Sequence, residues 1–381
     1  MSQLAHKPEI IGRTRRIVVK VGSAVLSDRD GLRHDIIDSL ASEVAAAMSS
    51  GREVVLVSSG AIAAGRTVLG QIRAKGIAAR QAAAATGQIE LMAAWRRAFA
   101  KRGRTTAQIL LTHQDLAERR RRNNASQTLR VLIGAGVIPI VNENDTVSVD
   151  EIRLGDNDVL SSLVATLMEA QLLVILSDVE GVLTGDPRKR PDARLIPLIS
   201  SAEAPMQGLV AEQAGPLGSG GMASKLKAAR QAARAGIAVM VTSGRTAGSL
   251  TAALDDQREA GTLILPERKR MLSRKHWIAF ALRPVGTLAV DSGASEALRK
   301  RGRSLLPSGV SDVQGDFACG DCVSLVDPDG VEFGRGLVNY PAADVVRIKG
   351  KRSAEIGRVL GYKVADEIIH RDNFVLLQEL A

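Results

Sequence analysis

The residues in this chain that could do chemistry are mainly lysines and acids beside glycine-rich turns. Lys20 lies near the end of the apolar run 16–21, and Gly22 and Ser23 follow it. A lysine rarely enters an apolar strand without a partner, so Lys20 either reaches solvent along its stem or projects into a polar cleft. Backbone N–H groups at this turn, and at Ser59-Gly60 where a helix begins, could hold an anion.

A second lysine ends the strongest local motif, the run GPLGSGGMASK from Gly215 to Lys225. Its glycines let the backbone approach phosphates closely, and Lys225 falls in the first turns of the predicted helix that follows. Ser224 stands where the Walker A pattern has glycine, and no G-x-G-x-x-G follows the first strand. Neither a P-loop nor a dinucleotide fold is therefore indicated. The run is either a phosphate-binding loop of another kind or a plain glycine-rich linker.

Two carboxylates and an amide are packed into Gly155-Asp156-Asn157-Asp158, at the head of a predicted helix. Asp156 or Asn157 could serve only as a helix cap. Asp158 falls inside the first turn, where capping explains it less easily. It could organise two lysines or a magnesium ion.

Lysines, glycine loops and acids fit phosphoryl transfer, which depends on positioning and charge neutralisation more than on covalent chemistry. The chain has five histidines and none beside a serine or cysteine elbow, so a nucleophilic triad has no support. A side-chain carboxylate acceptor, with a pKa of about 4.3, is ionised at neutral pH and needs no general base. The scarcity of candidate bases is consistent with such an acceptor.

The elements that must position these residues alternate in type. Apolar, β-branched runs predict strands, and helical periodicity predicts the segments between them. This alternation predicts an α/β fold with a mostly parallel open sheet and helices on both faces. The predicted strands are 16–21, 53–58, 107–111, 137–141, 172–176, 238–241 and 262–265, and the predicted helices are roughly 36–48, 81–101, 120–133, 157–170 and 223–235.

Four of these strands run into polar or glycine-rich turns, at 22–23, 58–61, 142–145 and 177–178. Ligands of parallel α/β sheets bind beyond the carboxyl ends of the strands. Four such turns therefore predict one shared polar cleft.

The bulk composition excludes several classes of protein. Hydrophobic residues make up 45% and charged residues 24%, which is a globular balance, and no apolar stretch is long enough to span a membrane. The first residues contain no apolar signal core. The two cysteines, Cys319 and Cys322, give no disulfide framework, and we interpret them as incidental thiols rather than a zinc or redox site. We therefore expect a cytoplasmic protein.

The net charge of +10 could attract nucleic acid or anionic substrates, although an arginine-rich composition is the plainer interpretation. Most of the excess falls before residue 271. Aromatic residues have the opposite bias, because only Trp95 and Phe99 precede residue 270. This shift predicts two domains that divide near residue 270, where the proline and charges of 266–270 are a plausible start of a linker.

In this order along the chain, the motifs resemble the amino acid kinase family, and within it the glutamate 5-kinases. The resemblance covers about 15–265; aspartate, acetylglutamate and uridylate kinases share the lysine and glycine framework but not both acidic-amide motifs. Ser177 and Val182-Leu183 depart mildly from the family pattern, at positions where Thr and Leu-Tyr are frequent. The stretches that carry the resemblance are KVGS at 20–23, VSSGAIAAG at 57–65, PIVNEND at 139–145, GDND at 155–158, LSDVEGVLT at 176–184 and GGMASK at 220–225.

The resemblance implies ATP-dependent phosphorylation of the γ-carboxylate of L-glutamate, the first step of proline biosynthesis. It implies that Lys20 and Lys225 neutralise the phosphoryl group in transfer and that Asp158 orients both lysines. Glutamate would be held by Ser59, Gly60, Ala61, Asn142, Asp145 and Asn157. ATP would be held by Lys20, Gly22, Ser23, Ser177, Asp178, Ser219, Gly220, Gly221, Met222, Ala223, Ser224 and Lys225.

The resemblance also implies cofactors and partners. Mg²⁺ would accompany ATP and be held mainly by the phosphates, with no protein metal site. Glutamyl phosphate reductase would receive the labile acyl phosphate, proline would act as feedback inhibitor, and the chain would form a homo-oligomer. The rival functions are another amino acid kinase, of aspartate or acetylglutamate type, and an RNA-binding protein with a vestigial kinase fold.

Residues of about 284–361 resemble a PUA domain, a small, mainly-β pseudo-barrel common in RNA-modifying enzymes. GTLAVDSGA at 286–294, Gly315-Asp316-Phe317 and Gly320-Asp321 carry this resemblance. Basic clusters at 299–303 and 347–352 favour RNA binding, whereas the near-neutral net charge of the region disfavours it. We expect a structural or regulatory role rather than RNA binding. Together the two resemblances imply a catalytic domain at 1–268, a linker at 269–283 and a PUA domain with a C-terminal extension at 284–381.

Overall fold

The computed structural model describes residues 3–70, 76–148, 157–185, 190, 192–200, 221–267 and 273–377. The chain separates into two compact units, Met1–Arg270 and Met271–Ala381. Each unit has a hydrophobic core cluster of its own. In the described part of the chain, no helix combines the length and apolar character that crossing a membrane requires.

The strands of the first unit supply the framework of the site. They are β1 Arg16–Val21, β2 Ser27–Asp28, β3 Gly31–Leu32, β4 Glu53–Ser58, β5 Thr106–Leu111, β6 Ile138–Glu143, β7 Leu172–Ser177, β8 Leu198–Ile199, β9 Ala238–Ser243 and β10 Thr262–Ile264. Within the described residues, eight of them form one sheet in the order β5-β6-β4-β1-β7-β9-β10-β8, and β2 pairs with β3 separately. Neighbours are parallel except β9 and β10. The predicted mostly parallel sheet is confirmed.

Every residue of β6 and β7 is buried, which shows that both faces of this part of the sheet are covered, as helices cover parallel sheets. The helices of the first unit are Lys7–Arg13, Ser23–Leu26, His34–Ser49, Ala61–Leu69, Ile77–Ala100, His113–Ala117, Arg119–Gly134, Asn157–Leu167, Met222–Arg234 and Ser249–Leu254, and a 3₁₀ turn spans Gln3–Ala5. The predicted strands and helices end close to the observed ones. Strand β8 was not predicted, because two residues are too few to show alternation.

Alternation along β1 decides which way Lys20 points. Ile17, Val19 and Val21 belong to one core cluster, together with apolar residues of helix His34–Ser49. Lys20 lies between Val19 and Val21 in the strand and therefore projects to the opposite face. Helices Asn157–Leu167 and Met222–Arg234, which pack against each other, contribute no residue to that cluster.

Two glycines bring helices Ala61–Leu69 and Ile77–Ala100 into backbone contact. A Cβ placed on Gly65 would lie 1.7 Å from the carbonyl oxygen of Ala83, and one on Gly87 would lie 1.9 Å from that of Ala61. Only glycine fits at either position without displacing the partner helix. This close approach fixes helix Ile77–Ala100 next to the turn that follows β4.

We expect Gly87→Ala to lower the free energy of unfolding by about 1–3 kcal/mol, because the added methyl must displace backbone atoms. The matched control is Gly134→Ala, where a Cβ would meet nothing within 4 Å. That control is expected to change stability by less than ~1 kcal/mol. Urea denaturation measures both, and an unchanged midpoint for Gly87→Ala would contradict the close contact.

The second unit is a five-stranded sheet with short helices, as far as its described residues show. Its strands are β11 Gly286–Val290, β12 Val310–Gly315, β13 Cys322–Val326, β14 Glu332–Leu337 and β15 Phe374–Leu376, in the order β12-β11-β13-β14-β15. Only β11 and β13 pair in parallel. Its helices are Ser273–Phe280, Ser292–Arg301, Ala342–Ile348 and Ile356–Leu360, with 3₁₀ turns at Pro307–Gly309, Ser353–Glu355 and Arg371–Asn373.

Most of the predicted linker, 269–283, and both cysteines belong to this unit, which begins at Met271. Helix Ser273–Phe280 lies inside the stretch 269–283 that was predicted as a linker. Cys319 is exposed, whereas Cys322 is buried, and burial raises the pKa of its thiol to about 12. Cys322 is therefore a neutral thiol at physiological pH, the unreactive state of a cysteine.

Candidate active site

Two lysines from distant parts of the sequence meet one buried aspartate. Nζ of Lys20, from β1, lies 2.6 Å from Oδ1 of Asp158, and Nζ of Lys225 lies 3.4 Å from Oδ2 of the same carboxylate. The side chain of Lys20 is 5% exposed, that of Lys225 is 8% exposed, and that of Asp158 is 0% exposed. Asp158 and Lys225 stand in the first turns of their two helices, beyond the carboxyl ends of the parallel strands.

The electrostatics of this cluster are those of a buried, net positive group. Burial raises the pKa of the Asp158 carboxyl, but the ammonium groups of Lys20 and Lys225 lower it more, so it stays below its ordinary value. Burial lowers the pKa of Lys225, and the positive charge of Lys20 adds to this effect while Asp158 opposes it. Two cations share one anion here, which favours the binding of a further anion such as a phosphoryl group.

A chain of side-chain amides lies beside the lysines. Nδ2 of Asn157 donates to Oγ of Ser59 at 2.8 Å and to Oδ1 of Asn142 at 3.0 Å. Ser59 follows β4, and Asn142 is the penultimate residue of β6. These side-chain hydrogen bonds therefore connect the ends of two adjacent strands. Asn157 immediately precedes Asp158. The amide chain and the lysine cluster are therefore two parts of one site.

The other residues predicted to hold the acceptor lie close by in the fold. Gly60 has a φ of 111° and precedes helix Ala61–Leu69, so the first N–H groups of that helix follow Ser59 directly. Such N–H groups are the usual backbone donors to a carboxylate or phosphate. Asp145 lies partly buried in the turn after β6, three residues beyond Asn142 in the sequence.

The predicted ATP-binding residues follow strands β1 and β7 and begin the helix that bears Lys225. A Cβ on Gly22 would lie 3.6 Å from Nζ of Lys20, so this glycine keeps the space beside the lysine open. Ser177 ends β7 and donates a hydrogen bond of 3.0 Å to Asp178. The negative charge of Asp178 partly opposes the lowering of the Lys225 pKa by burial. Ser23 begins a short helix after β1, and Gly221, Met222, Ala223 and Ser224 form the start of helix Met222–Arg234.

Some predicted residues lie outside the described part of the chain. They are Ser219 and Gly220 of the glycine-rich run, together with Gly155 and Asp156 of the acidic motif. The described ends of both segments, Gly221 and Asn157, lead directly into the helices that carry Lys225 and Asp158.

Two site residues on helix Ile77–Ala100 were missed by the sequence analysis. Oε1 of Gln88 accepts a 2.8 Å hydrogen bond from Nδ2 of Asn142, and Nε1 of Trp95 donates at 2.9 Å to Oγ of buried Ser58. The helix thus supports the ends of both β4 and β6. Its alanine-rich sequence contains no local motif that points to a site, although the glycines at 65 and 87 are a signal for close helix packing.

The described side chains do not form a cage for a metal ion. No group of three or more His, Cys, Asp or Glu residues is placed to hold one, within the ranges that the structure describes. Asp158 meets a lysine with each of its oxygens.

Comparisons with known proteins agree with this architecture. The amino acid kinase family matches residues 15–243, and the PUA domain matches residues 286–360. The glutamate 5-kinase of Geobacter sulfurreducens is 50% identical over 370 residues, which cover 97% of this chain and 99% of that protein. The glutamate 5-kinase of Geobacter metallireducens is 51% identical over 370 residues, covering 97% and 99%, and that of Geobacter sp. strain M21 is 46% identical over 373 residues, covering 97% and 100%.

Proposed function

Because the chain belongs to the amino acid kinase family, and within it to the glutamate 5-kinases, we propose that it transfers the γ-phosphoryl group of ATP to the γ-carboxylate of L-glutamate. The observation that carries the proposal is the buried cluster of Lys20, Asp158 and Lys225, joined through Asn157 to the chain of hydrogen-bonded amides. The product would be L-glutamyl 5-phosphate, the first intermediate of proline biosynthesis.

The chemistry of this transfer needs charge neutralisation above all. A γ-carboxylate oxygen attacks the γ-phosphorus in line, the bond from that phosphorus to the β,γ-bridging oxygen breaks, and ADP leaves with the electron pair. In this proposal Lys20 and Lys225 bind the oxygens of the migrating phosphoryl group, and Asp158, which contacts both ammonium groups, orients them. No base is required, because the acceptor is ionised at neutral pH.

We infer that the acceptor is bound partly by the amide chain and partly by the start of the helix that follows β4. In this proposal Ser59, Asn142 and Asn157 hold glutamate with the backbone of Gly60 and Ala61, and Asp145 faces its α-ammonium. A carboxylate at the α-ammonium position would distinguish free glutamate from N-acetylglutamate. Hydrogen bonds from Asn157 to Ser59 and Asn142 support this grouping.

An acceptor series with hydroxylamine trapping tests the function. An acyl phosphate reacts with hydroxylamine to give a hydroxamate, which is detected as its coloured ferric complex, so the assay reports carboxyl phosphorylation. Glutamate is expected to give ATP-dependent hydroxamate, and aspartate and N-acetylglutamate little. Hydroxamate from aspartate or N-acetylglutamate instead would establish a different amino acid kinase, and none from any acceptor would remove the kinase assignment.

The cofactor, partners and location belong to the same proposal. Mg²⁺ would enter as MgATP and remain on the phosphates. The acyl phosphate hydrolyses readily in water, so direct transfer to glutamyl phosphate reductase is expected. Proline would compete at or near the glutamate pocket, the chain would form a homo-oligomer, and the reaction would take place in the cytoplasm.

The second unit does not favour RNA binding as a primary function. One residue of each basic cluster faces an acid: Arg299 lies 2.7 Å from Asp327 and 4.5 Å from the ring centroid of Phe333, and Lys349 lies 3.1 Å from Asp312. Paired in this way, they have less charge to offer to phosphates. Tight RNA binding without ATP turnover would nevertheless favour the rival function.

A fragment of residues 1–270 is expected to keep measurable hydroxamate-forming activity. The first unit contains Lys20, Asp158 and Lys225 and a core cluster that includes no residue of the second unit. The trapping assay on the fragment, compared with the full chain, measures the effect. Complete loss of activity in a fragment that circular dichroism shows to be folded would assign a catalytic role to the second unit.

A further inference from the structure

The orientation of the hydrogen-bonded amides of Gln88, Asn142 and Asn157 is fixed by one backbone group. The N–H of Glu143 donates to Oδ1 of Asn142 at 2.8 Å, and a backbone N–H can only donate. Nδ2 of Asn142 therefore faces Gln88, and the atom that it meets there at 2.8 Å must be the acceptor, Oε1. By the same logic, Nδ2 is the atom of Asn157 that faces Oδ1 of Asn142.

This chain of orientations leaves one donor and one acceptor over. Among the described residues, Nε2 of Gln88 and Oδ1 of Asn157 are buried and have no hydrogen-bond partner. Gln88 as a whole is 8% exposed. Buried polar groups are nearly always paired, and an orphan at a site indicates a missing ligand or water. An α-amino acid offers both complements, a carboxylate oxygen for the N–H of Gln88 and an ammonium for the oxygen of Asn157.

We propose that Gln88 is an acceptor-binding residue, whose side-chain N–H donates to a carboxylate of the amino acid while its oxygen holds Asn142 in register. This inference rests on the proposed function and adds a residue to it. The close contacts at Gly65 and Gly87 support the proposal. Neither position has room for a side chain, so the helix that carries Gln88 lies directly against the start of the helix that follows β4.

The variant Gln88→Glu tests the unpaired N–H of Gln88 separately from its hydrogen bond with Asn142. The carboxylate keeps an oxygen for Nδ2 of Asn142 but replaces the donor by an acceptor with negative charge. We expect the KM for glutamate to rise at least ~10-fold, the effect of losing a hydrogen bond to a charged group, while the KM for ATP stays within about twofold. Gln88→Met, which removes both polar atoms, is expected to raise the KM for glutamate as well.

The matched control is Gln127→Glu, the same chemical change at an exposed position of helix Arg119–Gly134. It is expected to leave both KM values unchanged. Urea denaturation of all variants separates binding from folding. An unaltered KM for glutamate in both Gln88 variants, with or without lower stability, would overturn the proposal and leave Gln88 a structural residue.

The wild-type protein separates this proposal from the proposed function. Should the wild type form hydroxamate from aspartate or N-acetylglutamate instead, the function would be wrong, and the same KM comparison with that acceptor would still decide the role of Gln88. Should calorimetry show that the wild type binds no amino acid, both proposals fall together.

Discussion

Replacing Lys225 by alanine is expected to lower kcat by at least ~10²-fold, the order seen when a preorganised transition-state charge is removed. Lys225 is buried 3.4 Å from Asp158, and its pKa is already lowered by burial, so the site holds its charge in an environment that strengthens interactions with phosphate. The KM for glutamate should change little, because Lys225 acts on the migrating group. Steady-state kinetics with a coupled ADP assay measures both.

The control for this variant is Lys227→Ala, two residues further along the same helix and exposed. It removes the same charge from the opposite face, so a near-normal kcat is expected. Comparable losses in the two variants would show a general effect of charge, and a near-normal rate for Lys225→Ala would contradict its assignment.

Asp158→Asn is expected to lower the free energy of unfolding by about 3–5 kcal/mol, because removing one partner of a buried ion pair leaves uncompensated charge. Here two buried ammonium groups would lose the carboxylate that holds them 2.6 and 3.4 Å away. Loss of their orientation should also lower kcat at least ~10²-fold in protein that is still folded. Urea denaturation and steady-state kinetics give the two values.

Asp38→Asn is the matched control, since Asp38 also faces two cations. It lies 3.0 Å from Lys101 and 3.3 Å from Arg102 but is 38% exposed. Solvent screens such a pair, so the expected loss is only about 0–1 kcal/mol. Similar losses for the two variants would mean that burial of Asp158 does not govern its contribution.

The stability difference caused by Asp158→Asn should depend on pH. The two ammonium groups outweigh burial and hold the pKa of Asp158 below its ordinary value in the folded state. A carboxyl of this kind contributes fully above the ordinary pKa, and its contribution disappears as the pH falls through the lowered value. The difference between wild type and variant is therefore expected to persist from neutral pH to mildly acidic pH and to close only in strong acid.

The fold and the charged half of the site could be predicted because their signals are local. β-Branched runs predict β1 and β4, and a lysine inside such a run is conspicuous at position 20. The carboxyl ends of β6, β4, β1 and β7 lie side by side, which brings the four polar turns of the sequence analysis to one edge of the sheet. Strand periodicity alone fixes neither that order nor which lysine meets which acid.

The contribution of helix Ile77–Ala100 could not be predicted, since it depends on how two helices pack. Gln88 and Trp95 stand in an alanine-rich segment without a turn, charge cluster or glycine loop. They reach Asn142 and Ser58 only because Gly65 and Gly87 remove the side chains between the helices. Such pairing is a tertiary property, and single-residue propensities carry no information about it.

Oxygen transfer from the acceptor to phosphate tests the central claim most directly. Glutamate labelled with ¹⁸O in its γ-carboxylate is incubated with ATP, the product is trapped with hydroxylamine, and the released phosphate is examined by mass spectrometry. Attack by the carboxylate on phosphorus, as proposed for the site of Lys20, Asp158 and Lys225, predicts one ¹⁸O atom in each phosphate released with the hydroxamate. Phosphate without ¹⁸O, formed at the same rate with and without glutamate, would contradict the account.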